Sequence, residues 1–279
     1  MSDRAYDAIL LDLDGTLVDG RDQIHPHTFS CLRAAVERGV RVMIATGRSE
    51  LATIPVLDRL AFDTPAVVYN GAGIWCPVQR RMLEERVLSD RTLTRALDFG
   101  ERHGHMTVTM CIGVKYATKP RTAPEQSALH DMTGLVVADS ATMLAHRALR
   151  ATLFSDHHVN SGEFADELEA AINAPVYITH FPLSALPHHR ESKLLVCDVQ
   201  PPCKGKAEGL RVLRELYGIE PERVVAVGDA SNDVPMFEAA GLAVAMQDSM
   251  QEAFAVADRV IGANSSGTIG DLVSELFLT

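Results

Sequence analysis

The chain is predicted to be an α/β protein: a Rossmann-like parallel sheet core with helices on both faces, and an inserted α+β cap domain. Three observations predict this. Short, continuously apolar runs alternate with helix-length amphipathic segments in the outer parts of the chain, the rhythm of a parallel sheet covered on both faces. Charge is uneven: residues 86–190 hold ten Lys/Arg against eleven Asp/Glu, while the rest holds sixteen against twenty-six. Nine of the eleven histidines also fall in that central block. Finally, polar residues gather just past several apolar runs, where such sheets present their ligand sites.

Taken in order, residues 8–13 read as a strand and 28–38 as a helix with Phe29, Leu32 and Val36 on one face, stopped by Gly39. A strand at 40–45 leads to a helix at 49–60 that Ser49 can cap, and a strand at 66–69 leads to the turn pair Asn70-Gly71. The central block reads as helices at 89–103 and 163–173 with alternating strands near 106–118 and 175–181. The α/β rhythm then resumes with a strand at 194–198 and a helix at 204–217 carrying Ala207, Leu210, Leu213 and Leu216 as its apolar stripe. Strands at 224–227 and 242–245 and helices at 233–240 and 267–277 complete the core. Neither internal repeats nor low-complexity tracts interrupt the pattern.

The chemistry lies at the strand ends. Asp12 and Asp14 stand two apart at the end of the first strand, so their side chains are expected to project the same way. Like charges that close repel unless a cation or a proton resolves them. Thr46-Gly47-Arg48 follows the second strand, Lys204 opens a helix, and Gly228-Asp229-Ala230-Ser231-Asn232-Asp233 follows the strand at 224–227. In a parallel sheet these converge on one edge. Carboxylate oxygens suit Mg²⁺ shared with a phosphate, an aspartate can attack phosphorus, and phosphoryl transfer chiefly needs positioning and charge neutralisation. Lys206 stands two positions beyond Lys204 as a competing cation. Asn70-Gly71 reads equally well as a plain turn or as a substrate-side contact. Arg48 reads as a sheet-edge ion pair or a phosphate neighbour, the former being favoured.

The segments DLDGT at 12–16, TGR at 46–48, NGA at 70–72, Lys204-Gly205 and GDASND at 228–233 occur in this order. In them the chain resembles the haloacid dehalogenase (HAD) superfamily, specifically its Cof-type phosphatases with a large α+β cap. The resemblance implies a catalytic core over 1–85 and 191–279 and a substrate-selecting cap over 86–190. It implies Asp12 as nucleophile and Mg²⁺ ligand. Asp14 would be general acid and then base, its backbone carbonyl ligating the metal. Thr46 and the Gly47 amide would hold the phosphoryl group, with Asn232 reaching it. Lys204 would offset the charge on Asp12 and the phosphate. Asp229 would complete the metal ligands, with Asp233 in support.

The expected activity is Mg²⁺-dependent hydrolysis of a small phosphorylated metabolite, a sugar phosphate or phosphorylated cofactor, through an aspartyl-phosphate. A phosphomutase or phosphotransferase using the same intermediate is an alternative. A receiver-like phosphate sensor is disfavoured by the second aspartate and the large insertion. A dinucleotide-binding dehydrogenase is disfavoured because no Gly-x-Gly-x-x-Gly follows the first strand. The net charge of −11 argues against nucleic acid as a partner, and no apolar run approaches the ~18–20 residues that span a bilayer. An acidic amino-terminal stretch that enters a strand at once is unlike a secretory signal. The cysteines at 31, 76, 111, 197 and 203 are odd in number and lack metal-ligand spacing, so reduced thiols in a cytoplasmic protein are expected. A monomer or small homo-oligomer is expected. The pairs His157-His158 and His188-His189 lack the i, i+4 spacing of a helical zinc site and are expected to be solvated.

Overall fold

Strand β1 (Ala8–Leu11) is apolar throughout and wholly buried, as a central parallel strand requires. The fold is described from a computed structural model for residues 4–130, 132–186 and 189–279; His188 lies outside the described residues. After β1 come α1 (Pro26–Glu37), β2 (Arg41–Ile44), α2 (Glu50–Leu60), and then β3 (Ala66–Val68), β4 (Gly73–Cys76) and β5 (Arg81–Glu85) as a small three-stranded sheet. Helix α1 starts on Pro26, whose missing N–H costs nothing in a first turn, and the His25 ring accepts the His27 N–H.

The inserted segment runs α3 (Asp90–His103), β6 (Met106–Cys111), β7 (Val114–Ala117), α4 (Ala123–Ala128), β8 (Leu135–Val137), α5 (Ser140–Leu144), β9 (Arg150–Ser155), α6 (Ser161–Ile172), β10 (Tyr177–Pro182) and β11 (Leu195–Gln200). Ser89 caps α3 and a left-handed Gly104 ends it. Its core joins Leu93, Ala96, Leu97 and Phe99 of α3 to Phe164, Ala165, Leu168 and Ile172 of α6 and to Ala151, Leu153, Cys197 and Val199 of the sheet. The chain returns through α7 (Glu208–Tyr217), β12 (Val224–Gly228), α8 (Val234–Phe237), β13 (Leu242–Met246), α9 (Gln251–Val256), β14 (Arg259–Ile261) and α10 (Thr268–Val273).

The chain divides into two compact units. The first holds the chain up to Arg48, Thr53–Leu83 and Lys204–Thr279; the second holds Ser49–Ala52 and Glu84–Cys203. The first unit is built on a five-stranded sheet in the order β14-β13-β12-β1-β2, every neighbouring pair parallel. This is the expected doubly covered α/β core. The second unit has a six-stranded sheet in the order β10-β11-β9-β6-β7-β8.

Three expectations need correction. The strand expected at 194–198 as a core element is β11, which lies antiparallel between β9 and β10, so the inserted unit extends beyond 190. Its apolar residues suit either setting; in the inserted sheet the buried Asp198 is held by the Thr152 hydroxyl and the Arg150 guanidinium of β9. The first strand stops at Leu11 rather than 13, because the chain turns at Gly15, whose φ is +78°. On α7, Leu210 and Leu213 are buried but Leu216 is exposed; Val212 takes its place in the core.

Candidate active site

Two central strands deliver their following residues to one sheet edge. Asp12 continues the ladder beyond β1, donating its N–H to Val227 O at 2.9 Å, and Ala45 N–H donates to Leu11 O at 2.8 Å. Asp12 therefore stands beside Ala45, one residue short of Thr46. The turn at Gly15 then brings Thr16 back, and its hydroxyl donates to Asp229 Oδ1 at 2.8 Å. A Cβ on residue 15 would lie 2.4 Å from Asp229 Oδ2, so this position needs glycine for space as well as for its positive φ.

After β12 the chain folds onto Asp233. Its Oδ2 accepts the N–H groups of Asp229 and Ala230, both at 2.9 Å. Its Oδ1 accepts from Lys206 Nζ at 2.6 Å, and the same ammonium donates to Asp12 Oδ1 at 2.6 Å. Asp12, Asp233 and Lys206 are all buried. Asp12, Asp229 and Asp233 offer carboxylate oxygens that all lie within 4.8 Å of one another.

Three carboxylates thus stand together with one ammonium, which bonds the two buried ones, Asp12 and Asp233. At an effective dielectric near 20, each ionised carboxylate pair at such a distance repels by about 4 kcal/mol. Burial lifts the Asp12 carboxyl well above its ordinary range; Lys206 pulls it back, and Asp233, Asp229 and Asp14 push further. Burial, then Asp233, lifts Asp229 to about 6 against the Thr16 hydrogen bond and Lys206. Burial works against the charge on Lys206, but Asp12 and Asp233 outweigh it and raise the ammonium above lysine's ordinary value. Hard oxygen donors in charge excess fit a divalent cation. The donor set of Asp12, Asp229 and Asp233 therefore suits one.

The expected lysine is corrected. Lys204 is exposed and contributes its backbone N–H to Glu208 Oε1 at 3.1 Å, whereas Lys206 reaches the carboxylates. The chain enters a tight turn over Gly205–Ala207, with Gly205 at φ +60°, and that turn carries Lys206 inward. A lysine bracketed by Gly205 and Ala207 at the start of an apolar stripe was the available signal.

Asp14 is also corrected in part. Its side chain does not join the three-carboxylate set. It pairs with Arg48 through Nε–Oδ2 at 2.9 Å and Nη2–Oδ1 at 2.5 Å, and Arg48 also binds Asp22 at 2.6 Å. The chain has left the extended conformation by residue 14, so the strand alternation that would have aligned Asp14 with Asp12 no longer applies. Arg48 is the expected ion-pair former.

Thr46 is fully buried. Its hydroxyl accepts the Arg48 N–H at 3.1 Å and its carbonyl accepts the Asn70 N–H at 3.0 Å. Asn70, in the left-handed region at φ +50°, accepts from Asn232 Nδ2 at 3.1 Å, while Asn232 Oδ1 is buried with no hydrogen-bond partner among the described residues. A Cβ on residue 47 would sit 3.0 Å from the Asn70 amide oxygen, so Gly47, Asn70 and Asn232 converge. Sequence reasoning left Asn70 open between turn and site; burial and the Asn232 bond join it to the site.

Comparisons with known proteins give a family and a fold. The family model for haloacid dehalogenase-like hydrolases matches residues 9–273. Pyridoxal phosphate phosphatase YbhA of Escherichia coli K12 is 29% identical, with 95% of this chain and 96% of that protein covered. The 5-amino-6-(5-phospho-D-ribitylamino)uracil phosphatase YwtE of Bacillus subtilis 168 is 22% identical, with 96% and 97% covered. Among solved structures, the phosphatase BT1666 of Bacteroides thetaiotaomicron, of the HAD superfamily, shares the fold with a TM-score of 0.82 at 18% identity, with 98% of this chain and 96% of that chain covered.

Proposed function

This chain belongs to the haloacid dehalogenase-like hydrolases and is a phosphoric monoester hydrolase, and from that premise we propose that it is a Mg²⁺-dependent phosphatase acting on a small phosphorylated metabolite through an aspartyl-phosphate. The observation that carries this reading is Asp12 itself. It is a buried carboxylate at a strand end, held by Lys206 and grouped with Asp229 and Asp233 within 4.8 Å. The substrate class extends the names of the relatives, which act on pyridoxal phosphate and on a phosphorylated ribitylaminouracil.

An Asp12 carboxylate oxygen attacks phosphorus, and the bond from phosphorus to the leaving oxygen breaks. Asp14 supplies the proton to that oxygen and later takes one from the water that hydrolyses the aspartyl-phosphate. To do so it releases Arg48, which keeps Asp22 as a partner. Lys206 favours the ionised form of the attacking carboxylate against burial and holds it in place. Thr46, the Gly47 amide and Asn232 orient the phosphoryl oxygens. Asp12, Asp229, Asp233 and the Asp14 backbone carbonyl would hold a divalent cation, which would supply charge neutralisation for the phosphoryl group.

Substrate choice is assigned to the inserted unit, whose sheet buries Lys115, Arg150 and Asp198 among its polar residues. A reducing, cytoplasmic setting accords with five free cysteines. Among the described residues no helix is long and apolar enough to cross a membrane.

The test is phosphate release from an aryl phosphate with and without Mg²⁺. Asp12→Asn is expected to lower kcat by roughly 10³-fold or more. Turnover by Asp12→Asn near the parent rate would overturn the nucleophile, and phosphate delivered to an added alcohol in preference to water would make the enzyme a phosphotransferase.

A further inference from the structure

The inserted unit gathers four histidines at one end of its sheet. His103 closes α3 and His105 immediately precedes β6, while His157 and His158 form the turn between β9 and α6. Three of the rings crowd together: centroids are 4.7 Å apart for His105–His157, 5.2 Å for His157–His158 and 5.4 Å for His105–His158, the last pair tilted by 37°. His105 is only 3% exposed, and neither of its ring nitrogens has a hydrogen-bond partner among the described residues. Nitrogens from His105, His157 and His158 all lie within 4.8 Å of one another.

The other two imidazoles are already oriented by carboxylates. His157 Nδ1 faces Asp156 Oδ1 at 3.0 Å, and His158 Nε2 faces Glu167 Oε2 at 2.9 Å. A carboxylate on one ring nitrogen fixes the tautomer and leaves the lone pair on the other, the arrangement that supports metal-bound histidines. This directs His157 to bind through Nε2 and His158 through Nδ1, where the Ser155 hydroxyl at 2.7 Å is the exchangeable partner. Phe99 and Phe164 wall the group, with centroids 5.6 and 4.9 Å from His105.

We propose that His105, His157 and His158 form a second metal site, for a first-row transition dication of the Zn²⁺ class, distinct in chemistry from the carboxylate set. Three imidazoles select Zn²⁺, Co²⁺ or Ni²⁺ over Mg²⁺. The ion would tie the corner between α3 and β6 to the turn between β9 and α6. The spacing escaped sequence reasoning because His105 lies more than fifty positions from the adjacent pair, and only the pairing of β6 with β9 brings them together.

The test uses the full chain, stripped with a chelator and titrated with Co²⁺ in millimolar Mg²⁺, read by visible absorption, metal content and X-ray absorption. One Co²⁺ per chain with imidazole scattering is expected. His157→Ala, at an exposed position that folding tolerates, is expected to weaken Co²⁺ binding by more than about 1,000-fold, as is His105→Phe, which keeps an aromatic ring there; these are larger losses than the roughly 10–100-fold typical of orienting residues. Asp12→Asn is expected to leave Co²⁺ binding unchanged. Absence of Co²⁺ binding, or binding that survives His157→Ala and is lost in Asp12→Asn, would overturn the proposal and leave the cluster a stack of neutral rings.

Discussion

The ammonium of Lys206 is shared between Asp12 and Asp233 at 2.6 Å each, with almost no exposure to water. Removing it leaves the two buried carboxylates, Asp12 and Asp233, without the ammonium they share, and breaking a buried pair from one side costs about 3–5 kcal/mol. Lys206→Met is therefore expected to lower stability by about 3 kcal/mol in urea denaturation and to abolish turnover. Lys204→Met, at an exposed side chain, is expected to stay within about 0.5 kcal/mol of the parent. The converse pattern would restore Lys204 as the site lysine. At this scale the carboxylates were legible because an apolar strand running straight into Asp12, and a second into Asp229, has no packing explanation. The lysine was not, because spacing along the chain does not reveal which side of a tight turn faces inward. Asp14 misled for a related reason: strand alternation holds only while the chain stays extended.

At the scale of elements, α7 lies directly on β1. A Cβ on Gly209 would fall 2.7 Å from Leu10 Cδ1, so any larger residue there must displace the Leu10 side chain. Gly209→Val is expected to cost about 1–3 kcal/mol, as overpacked cores do, and to lower the temperature of unfolding without changing the Mg²⁺ requirement of the folded enzyme. A stability equal to the parent's would contradict the close contact. The parallel core was legible from its continuous apolar runs, Ala8–Leu11 and Val224–Gly228 above all. Strand β11 was not assigned to its sheet, since four apolar residues suit a parallel or an antiparallel neighbour equally. The short β14 was missed because Arg259 and the exposed Val260 leave too little apolar signal in three residues.

For the whole molecule, pH separates the two clusters of titratable groups. His105 stays neutral in the folded state down to about 4, whereas an unfolded histidine protonates near ~6.5. The folded state binds fewer protons across that window, so this contribution to stability is present above about pH 6.5 and is lost as pH falls toward 4. Asp229, lifted to about 6, acts in the opposite sense: the folded state binds more protons between the ordinary carboxylate range and 6, and its contribution is lost as pH rises. The difference between parent and His105→Phe isolates the histidine. In chelator, the variant is expected to gain on the parent as pH falls, by up to about 3 kcal/mol near pH 4. A difference independent of pH would contradict the buried neutral imidazole.

Mg²⁺ is expected to raise the unfolding temperature of the parent, and to do so less in Asp229→Asn, because a ligand that binds only the folded state stabilises it by mass action. An equal rise in both would remove Asp229 from the metal set.

The account rests on Asp12 becoming phosphorylated, and trapping tests that most directly. Enzyme mixed with an aryl phosphate and Mg²⁺ is quenched in acid within milliseconds, reduced with borohydride, digested and weighed by mass spectrometry. Conversion of Asp12 to its alcohol in the peptide containing Leu11, Asp12 and Leu13 is the predicted result, dependent on substrate and absent from Asp12→Asn. Reduction at another carboxylate, or turnover with Asp12 unmodified throughout, would contradict it.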